Sequence, residues 1–357
     1  MSMKAVILIG GKGTRLRPFT IDTPKPLLPV LNRPFLHYQF EILKAHGIKD
    51  VVLCTSYQSE AFRRSLGTGA AQGLRLKYVV ERDPLGTGGA LKNAQALLAP
   101  GEPFLVLNGD VLNTLDITAF LKQHRKLRAA VTIALTRVKD PTLYGLVKTD
   151  DGGRIKEFIE KPSWDEIESN TINAGAYIFD PETLAHIPRG VPFSLERQLF
   201  PHLLSHEGRV FSFVSTGYWI DIGTIERYRQ VHMDILAGQT PFSAAGRKTG
   251  RLLLGPGVKL GKDLSFGGGA GQVVLGSGVS VGDFARFSGS VCVGPRCSVG
   301  KGAWLSDCVV LEGTKIGDGA RLERCVIGAG CRIGAQAALT ENTALAGGSE
   351  VRSFSVL

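Results

Sequence analysis

A chain of 357 residues, 43% hydrophobic and 21% charged, is long enough for two globular domains, and none of its apolar runs approaches the length that spans a bilayer. Its net charge of +10 comes from basic residues dispersed along the chain without an aromatic-basic stripe, which argues against nucleic acid and for small phosphorylated partners. Six cysteines, Cys54, Cys292, Cys297, Cys308, Cys325 and Cys331, form no CxxC pair, so they read as reduced, small apolar residues of a cytoplasmic protein and not as a disulfide framework or metal cluster.

The first predicted strand is Ala5-Val6-Ile7-Leu8-Ile9, whose apolar run is too short for a signal peptide core. It runs directly into Gly10-Gly11-Lys12-Gly13-Thr14-Arg15-Leu16-Arg17-Pro18, with Pro24-Lys25-Pro26 soon after. Glycines let backbone N–H groups approach an oxyanion, and Arg15, Arg17 and Lys25 supply charge-assisted hydrogen bonds, so a polyanion belongs here. The loop is not the dinucleotide fingerprint, because Leu16 stands where the third glycine should be. Nor is there a P-loop: the nearest imitation, at 294–302, has the wrong spacing and no hydroxyl.

Strands are predicted next at 51–55, 74–80 and 104–107, and helices at 34–46, 88–98 and 117–127. Pro34 opens the first helix and Gly47 stands just past its end. This alternation predicts an α/β domain over 1–238, with a Rossmann-like, doubly wound, mostly parallel sheet. Ligands of such sheets sit beyond the carboxyl ends of the strands, which is where the first glycine loop and Asn108-Gly109-Asp110 fall. Asp151-Gly152-Gly153 centres a hairpin over 145–159, and Glu160-Lys161-Pro162 follows it. On its own that tripeptide is a surface turn; beside a sugar phosphate, Lys161 could grip the phosphate and Glu160 accept from hydroxyls. Asp110 and Asp221, each next to a glycine turn at a strand end, could together hold Mg²⁺, the hard cation that phosphoryl and nucleotidyl transfers need.

Residues 239–251 read as a linker, and beyond them the pattern changes. Apolar-small pairs recur about every six residues from Leu254-Gly255 to Leu345-Ala346, with the register slipping at Ile316-Gly317 and Ile327-Gly328. Such hexads place one aliphatic side chain per short strand on the axis of a parallel β-helix of about five coils over 252–357. Many hexapeptide β-helices are acyltransferases, but acyl transfer normally needs a histidine base and all seven histidines precede the linker. The domain therefore reads as an assembly module, and its unpaired end coil points to a homo-oligomer.

The opening motif, joined in order by the later ones, resembles the signature of sugar-nucleotide pyrophosphorylases. That resemblance implies that Gly10, Gly11, Gly13 and Thr14 wrap a nucleoside triphosphate, that Arg15 stabilises the reacting phosphates, and that Lys25 meets phosphate from the far side. It implies Asp110 and Asp221 as the Mg²⁺ ligands, with Asn108 on the nucleotide. The sugar site it implies comprises Tyr144-Gly145, Glu160-Lys161-Pro162 and Asn173-Ala174-Gly175, and it gives the β-helix a left hand. Residues 81–90, with Glu81, Gly86 and Thr87, resemble the segment that meets the nucleobase. A carboxylate only accepts, and guanine offers two adjacent donors, so Glu81 favours GTP. The 85–89 loop, the 217–223 segment and the attached β-helix most resemble the branch of the family that acts on mannose 1-phosphate, which makes it the favoured sugar. The alternatives are glucose or heptose 1-phosphate with UTP, dTTP or GTP, or a regulatory paralogue that binds nucleotide sugars without turnover. Neither nucleic acid nor a membrane is an expected partner.

Overall fold

In a computed structural model the chain divides into two compact units, Met1–Lys12 with Leu36–Trp219, and Gly13–Phe35 with Ile220–Leu357. The structure describes residues 3–56, 58–160, 162–167, 169–206, 208–268 and 271–357. No helix among them is long and apolar enough to cross a membrane.

Chain order runs β1 Ala5–Leu8, β2 Pro29–Val30, β3 Arg33–Pro34, α1 Leu36–Ala45, β4 Asp50–Thr55, α2 Ser59–Leu66, β5 Arg75–Val80 and α3 Gly86–Ala94. Then come β6 Phe104–Asn108, β7 Val111–Asn113, α4 Ile117–Leu127, β8 Val131–Arg137, β9 Gly145–Thr149, β10 Ile155–Glu160 and β11 Thr171–Phe179. A π-turn at Leu195–Leu199 leads into α5 Phe200–His206, followed by β12 Val210–Val214, β13 Trp219–Asp221 and α6 Ile225–Leu236. Helix α1 begins two residues after Pro34, which pairs in β3 instead of opening the helix, and it stops where Gly47 takes φ +73°.

The first unit is built on one nine-stranded sheet. Its centre, β6-β1-β4-β5, is parallel, as the βα alternation requires, whereas β11 runs antiparallel to β6, β8 and β9. The predicted hairpin is β9 and β10, whose short Asp-Gly-Gly connection leaves no room for a crossover, so these strands extend the sheet antiparallel. The parallel centre carries the glycine loop: Leu8 of β1 is level with both Cys54 and Asn108, so the segments after β1 and β6 leave the sheet at one height.

The second unit contains a three-faced parallel β-helix. One ladder runs from Leu252–Leu254 to Ala344–Leu345, a second from Lys259–Leu260 to Glu350–Val351, and a third from Ser265–Gly267 to Ala338–Leu339. The hexad apolar residues Leu275, Val293, Phe287, Leu305, Ile327 and Leu339 are buried along its axis. The small residue after each aliphatic lies against the next coil: a Cβ at Gly276 would come 2.6 Å from the backbone N of Pro295. Five to six coils stack in this way, and the predicted linker contributes a strand, Arg247–Thr249, antiparallel to Leu252–Leu254. The cysteines are free and buried; Cys297 and Cys331 also donate to Leu311 O at 3.1 Å and Ala346 O at 3.0 Å, tying coil to coil.

Candidate active site

The segment after β1 leaves the sheet as soon as Ile9 N has bonded Cys54 O at 2.9 Å, and Ser56 Oγ holds the Gly10 carbonyl at 2.8 Å. Gly11 and Lys12 then stand exposed. Beyond its chain neighbours, no atom of the described residues lies within 4 Å of where a Cβ on Gly11 would be, so a ligand has room there against bare backbone. Asp110, half-buried, follows β6 beyond Gly109.

The segment that resembles a base-binding loop is anchored at both ends. Glu81 N donates to Thr55 O at 2.9 Å, and Gly88 N donates to Phe193 O at 2.8 Å. Gly86 sits at φ +71° with Phe193 O only 2.8 Å from its would-be Cβ, so glycine is required there. Glu81 is 7% exposed: its Oε2 accepts from Leu85 N at 3.2 Å, and its buried Oε1 has no protein partner among the described residues. Burial pushes the Glu81 carboxyl above its ordinary value, opposed by the Leu85 N–H.

Thr87 leads to a residue the sequence did not single out. Its hydroxyl donates to Glu196 Oε2 at 2.8 Å while accepting from Leu195 N at 2.9 Å. Ser194 Oγ donates to the same Glu196 oxygen at 2.9 Å, and the Tyr177 hydroxyl to Oε1 at 3.4 Å. Tyr177 in turn accepts from Asn173 Nδ2 at 2.8 Å, and Asn173 Oδ1 accepts from Gly175 N at 3.0 Å. One hydrogen-bonded chain thus joins the nucleotide candidate Thr87 to the sugar candidate Asn173 through Glu196.

Asn108 lies against Gly175, its Nδ2 3.0 Å from that residue's would-be Cβ, while its buried Oδ1 has no hydrogen-bond partner among the described residues. Gly145 and Glu160 face each other across β9 and β10, with Glu160 Oε2 3.1 Å from a Cβ at Gly145. Tyr144 meets Trp219 edge-on at 5.2 Å, and Trp219 Nε1 donates to Ala174 O at 3.0 Å. The three sugar motifs are therefore neighbours on β9, β10 and β11; Lys161 itself lies outside the described residues.

In the second unit, Gly13 takes φ +60° and its carbonyl accepts from Thr20 Oγ1 at 2.7 Å. The turn Thr14–Leu16 is pinned by buried Leu16, leaving Thr14 and Arg15 exposed. Lys25, 8% exposed, has its Nζ 3.4 Å from Asp221 Oδ1, and Arg227 Nη1 lies 3.7 Å from Oδ2. A Cβ on Gly223 would be 2.9 Å from Asp221 Oδ2 and 3.2 Å from Arg15 Nη2, so Arg15 belongs to the same cluster. Three cations around one carboxylate leave an excess of positive charge suited to phosphates. Arg227, in the first turn of α6, is the second residue that sequence reasoning missed.

The carboxylates of Asp110 and Asp221 are the oxygen donors that a hard divalent cation takes. Among the described residues no three or more His, Cys, Asp or Glu side chains form a metal-holding group. A cation held by a single aspartate would complete its shell with substrate phosphates and water, the mode that suits Mg²⁺, so the donor chemistry of each residue by itself fits such an ion.

The chain matches the nucleotidyl transferase family over residues 4–238 and the GMPPB C-terminal domain over 269–357. It is 36% identical over 313 residues to the mannose-1-phosphate guanylyltransferase of Mycobacterium tuberculosis, spanning 87% of this chain and 80% of that one. It is 40% identical to the mannose-1-phosphate guanylyltransferase catalytic subunit beta of Danio rerio, over 71% of this chain and 69% of that protein. Among solved structures, HddC of Yersinia pseudotuberculosis, crystallised with GMP-PN, aligns with TM-score 0.56 at 31% identity, covering 64% of this chain and 97% of that one.

Proposed function

We propose that this chain, which belongs to the nucleotidyl transferase family, joins GTP to mannose 1-phosphate, giving GDP-mannose and pyrophosphate. The observation that carries this reading is the paired match: a nucleotidyl transferase domain followed by a GMPPB C-terminal domain, in a chain whose relatives of similar length are named mannose-1-phosphate guanylyltransferases.

A phosphate oxygen of mannose 1-phosphate attacks the α-phosphorus of GTP in line; the new P–O bond forms as the bond to the β-phosphate oxygen breaks, and pyrophosphate carries away the electron pair. One phosphoanhydride replaces another, so catalysis consists of positioning and charge neutralisation. Gly10, Gly11 and Gly13 present backbone N–H groups to the triphosphate, and Thr14 adds a hydroxyl. Arg15 and Lys25 neutralise the charge that grows on the leaving pyrophosphate, and Arg227 adds to that field. Lys161 neutralises the attacking phosphate, while Gly145, Glu160 and Asn173 orient the sugar. Glu81, with Gly86, Thr87 and Asn108, holds the base and ribose. Members of this family use a divalent metal, and we assign Mg²⁺ here: Asp110 and Asp221 would hold it, and bound there it draws charge from the α- and β-phosphates.

We place the reaction in the cytoplasm, consistent with six free buried cysteines, and infer a homo-oligomer that associates through the β-helix. Release of pyrophosphate across a matrix of GTP, ATP, UTP and dTTP with mannose, glucose and heptose 1-phosphates tests the reaction, with Asp110→Ala as the inactive control. GTP with mannose 1-phosphate is expected to be fastest. Release from no pair overturns the enzyme reading, and a preference for UTP overturns the assignment of guanine to Glu81.

A further inference from the structure

Three of the seven histidines, His186, His202 and His206, gather in the first unit and serve none of the roles assigned above. His186 closes the 3₁₀ turn Pro181–His186, and His202 and His206 stand one turn apart on α5. The His186 and His202 rings are 5.0 Å apart between centroids, and His206 stacks on His202 at 4.3 Å with 27° between planes. His202 and His206 are exposed and His186 half-buried, so an ion in solution can reach them.

His202 Nε2 and His186 Nδ1 are 3.1 Å apart, close enough to share a proton. That spacing also suits two adjacent ligands of one metal ion. Metal–nitrogen bonds of about 2.0–2.1 Å at tetrahedral or right angles leave the nitrogens about 3 Å apart. His206 Nδ1 lies 2.8 Å from Ser205 Oγ and 2.9 Å from the His202 carbonyl oxygen, contacts that hold its ring beside that of His202. No three such side chains form a metal-holding group as they stand among the described residues, so the third ligand would arrive by rotation of the exposed His206 side chain, which gives up its contacts to Ser205 and the His202 carbonyl.

We propose that His186, His202 and His206 form a surface site for a divalent transition-metal ion of the imidazole-preferring class, zinc, nickel or copper. Each ligating ring keeps one N–H: the proton between His186 and His202 passes through solvent to a ring's other nitrogen, with no net release and no redox change. The ion would tie the 181–186 turn to α5, which follows directly on the segment whose Glu196 holds Thr87.

The test is calorimetric titration of the untagged full chain with nickel chloride under saturating Mg²⁺, which occupies oxygen-ligand sites. One Ni²⁺ per chain is expected, weakened at least about tenfold in His186→Asn, His202→Ala and His206→Ala and unchanged in Asp110→Ala. Circular dichroism of each variant establishes that it is folded, and the visible spectrum of the Co²⁺ form reads imidazole coordination directly in the unaltered protein. Absence of stoichiometric binding, its persistence in folded His202→Ala, or its loss in folded Asp110→Ala each overturns the site.

Discussion

One carboxylate oxygen of Glu81 is buried with no hydrogen-bond partner among the described residues, and ionising the group there carries a cost that depends on pH. Its pKa is raised, first by burial, so the ionised form is the one the fold disfavours. The penalty is absent below the ordinary value of 4.5 and grows as pH rises through the elevated folded value, so stability is lost in that direction. Glu81→Gln removes the charge and retains an acceptor for Leu85 N. At pH 7.5 it is expected to stabilise the ligand-free chain by about 1 kcal/mol, a gain that vanishes toward pH 4, read as the thermal midpoint across pH. The same variant is expected to narrow the preference for GTP over UTP, because an amide both donates and accepts. A fall in stability at pH 7.5 would show that the buried oxygen already has a partner.

At the scale of elements, the bond between Thr87, at the start of α3, and Glu196, in the π-turn before α5, joins segments far apart in sequence. Thr87→Val and Glu196→Gln are each expected to raise KM for GTP several-fold with a smaller change in kcat. Combined, they should lose about 1 kcal/mol less than the sum of the two singles; strict additivity in kcat/KM would mean that the bond contributes nothing. Neither Glu196 nor Arg227 was legible in the sequence, because each owes its place to partners brought in by tertiary packing, and neither lies in a glycine-rich or periodic motif. The glycine loop, the Asp-Gly-Gly hairpin and the hexads were legible because in each the backbone geometry itself restricts the residue type. The antiparallel placement of β11 was not, since an apolar run does not state which neighbour it pairs with. Helix α4 carries a second titration: His124, 2% exposed, meets Thr132 Oγ1 of β8 at 2.9 Å. Burial lowers its pKa to about 4, with Arg125 adding and Asp180 opposing. The depressed value means that its contribution is whole above pH 6.5 and is lost as pH falls toward 4, by about 3 kcal/mol. Denaturant midpoints of His124→Gln should therefore fall less steeply than those of the unaltered chain between pH 6.5 and 4; parallel slopes would assign the acid lability elsewhere.

At the scale of the whole molecule, the first coil of the β-helix is unfinished on two of its three faces. Lys259–Leu260 and Ser265–Gly267 are the terminal strands of their ladders, whereas Leu252–Leu254 is covered by Arg247–Thr249. Leu260 and Phe266 hold the positions that Val281 and Phe287 fill one coil later, yet remain 42% and 36% exposed while those partners are buried. An open strand edge beside two uncovered apolar side chains is a template for another strand, and a second copy supplies an identical one. Pairing across a two-fold axis would make the edge self-complementary and closed, and each side chain fully covered is worth about 1.5–3 kcal/mol. Light scattering behind size exclusion is therefore expected to give at least twice the mass of one chain. Leu260→Asp combined with Phe266→Ser should return it to that of a single chain, while coil-to-coil ladders from Ser280–Val281 onward keep its far-ultraviolet spectrum unchanged. A chain that is monomeric without substitution, or an assembly that survives both changes, would place self-association on another surface or remove it.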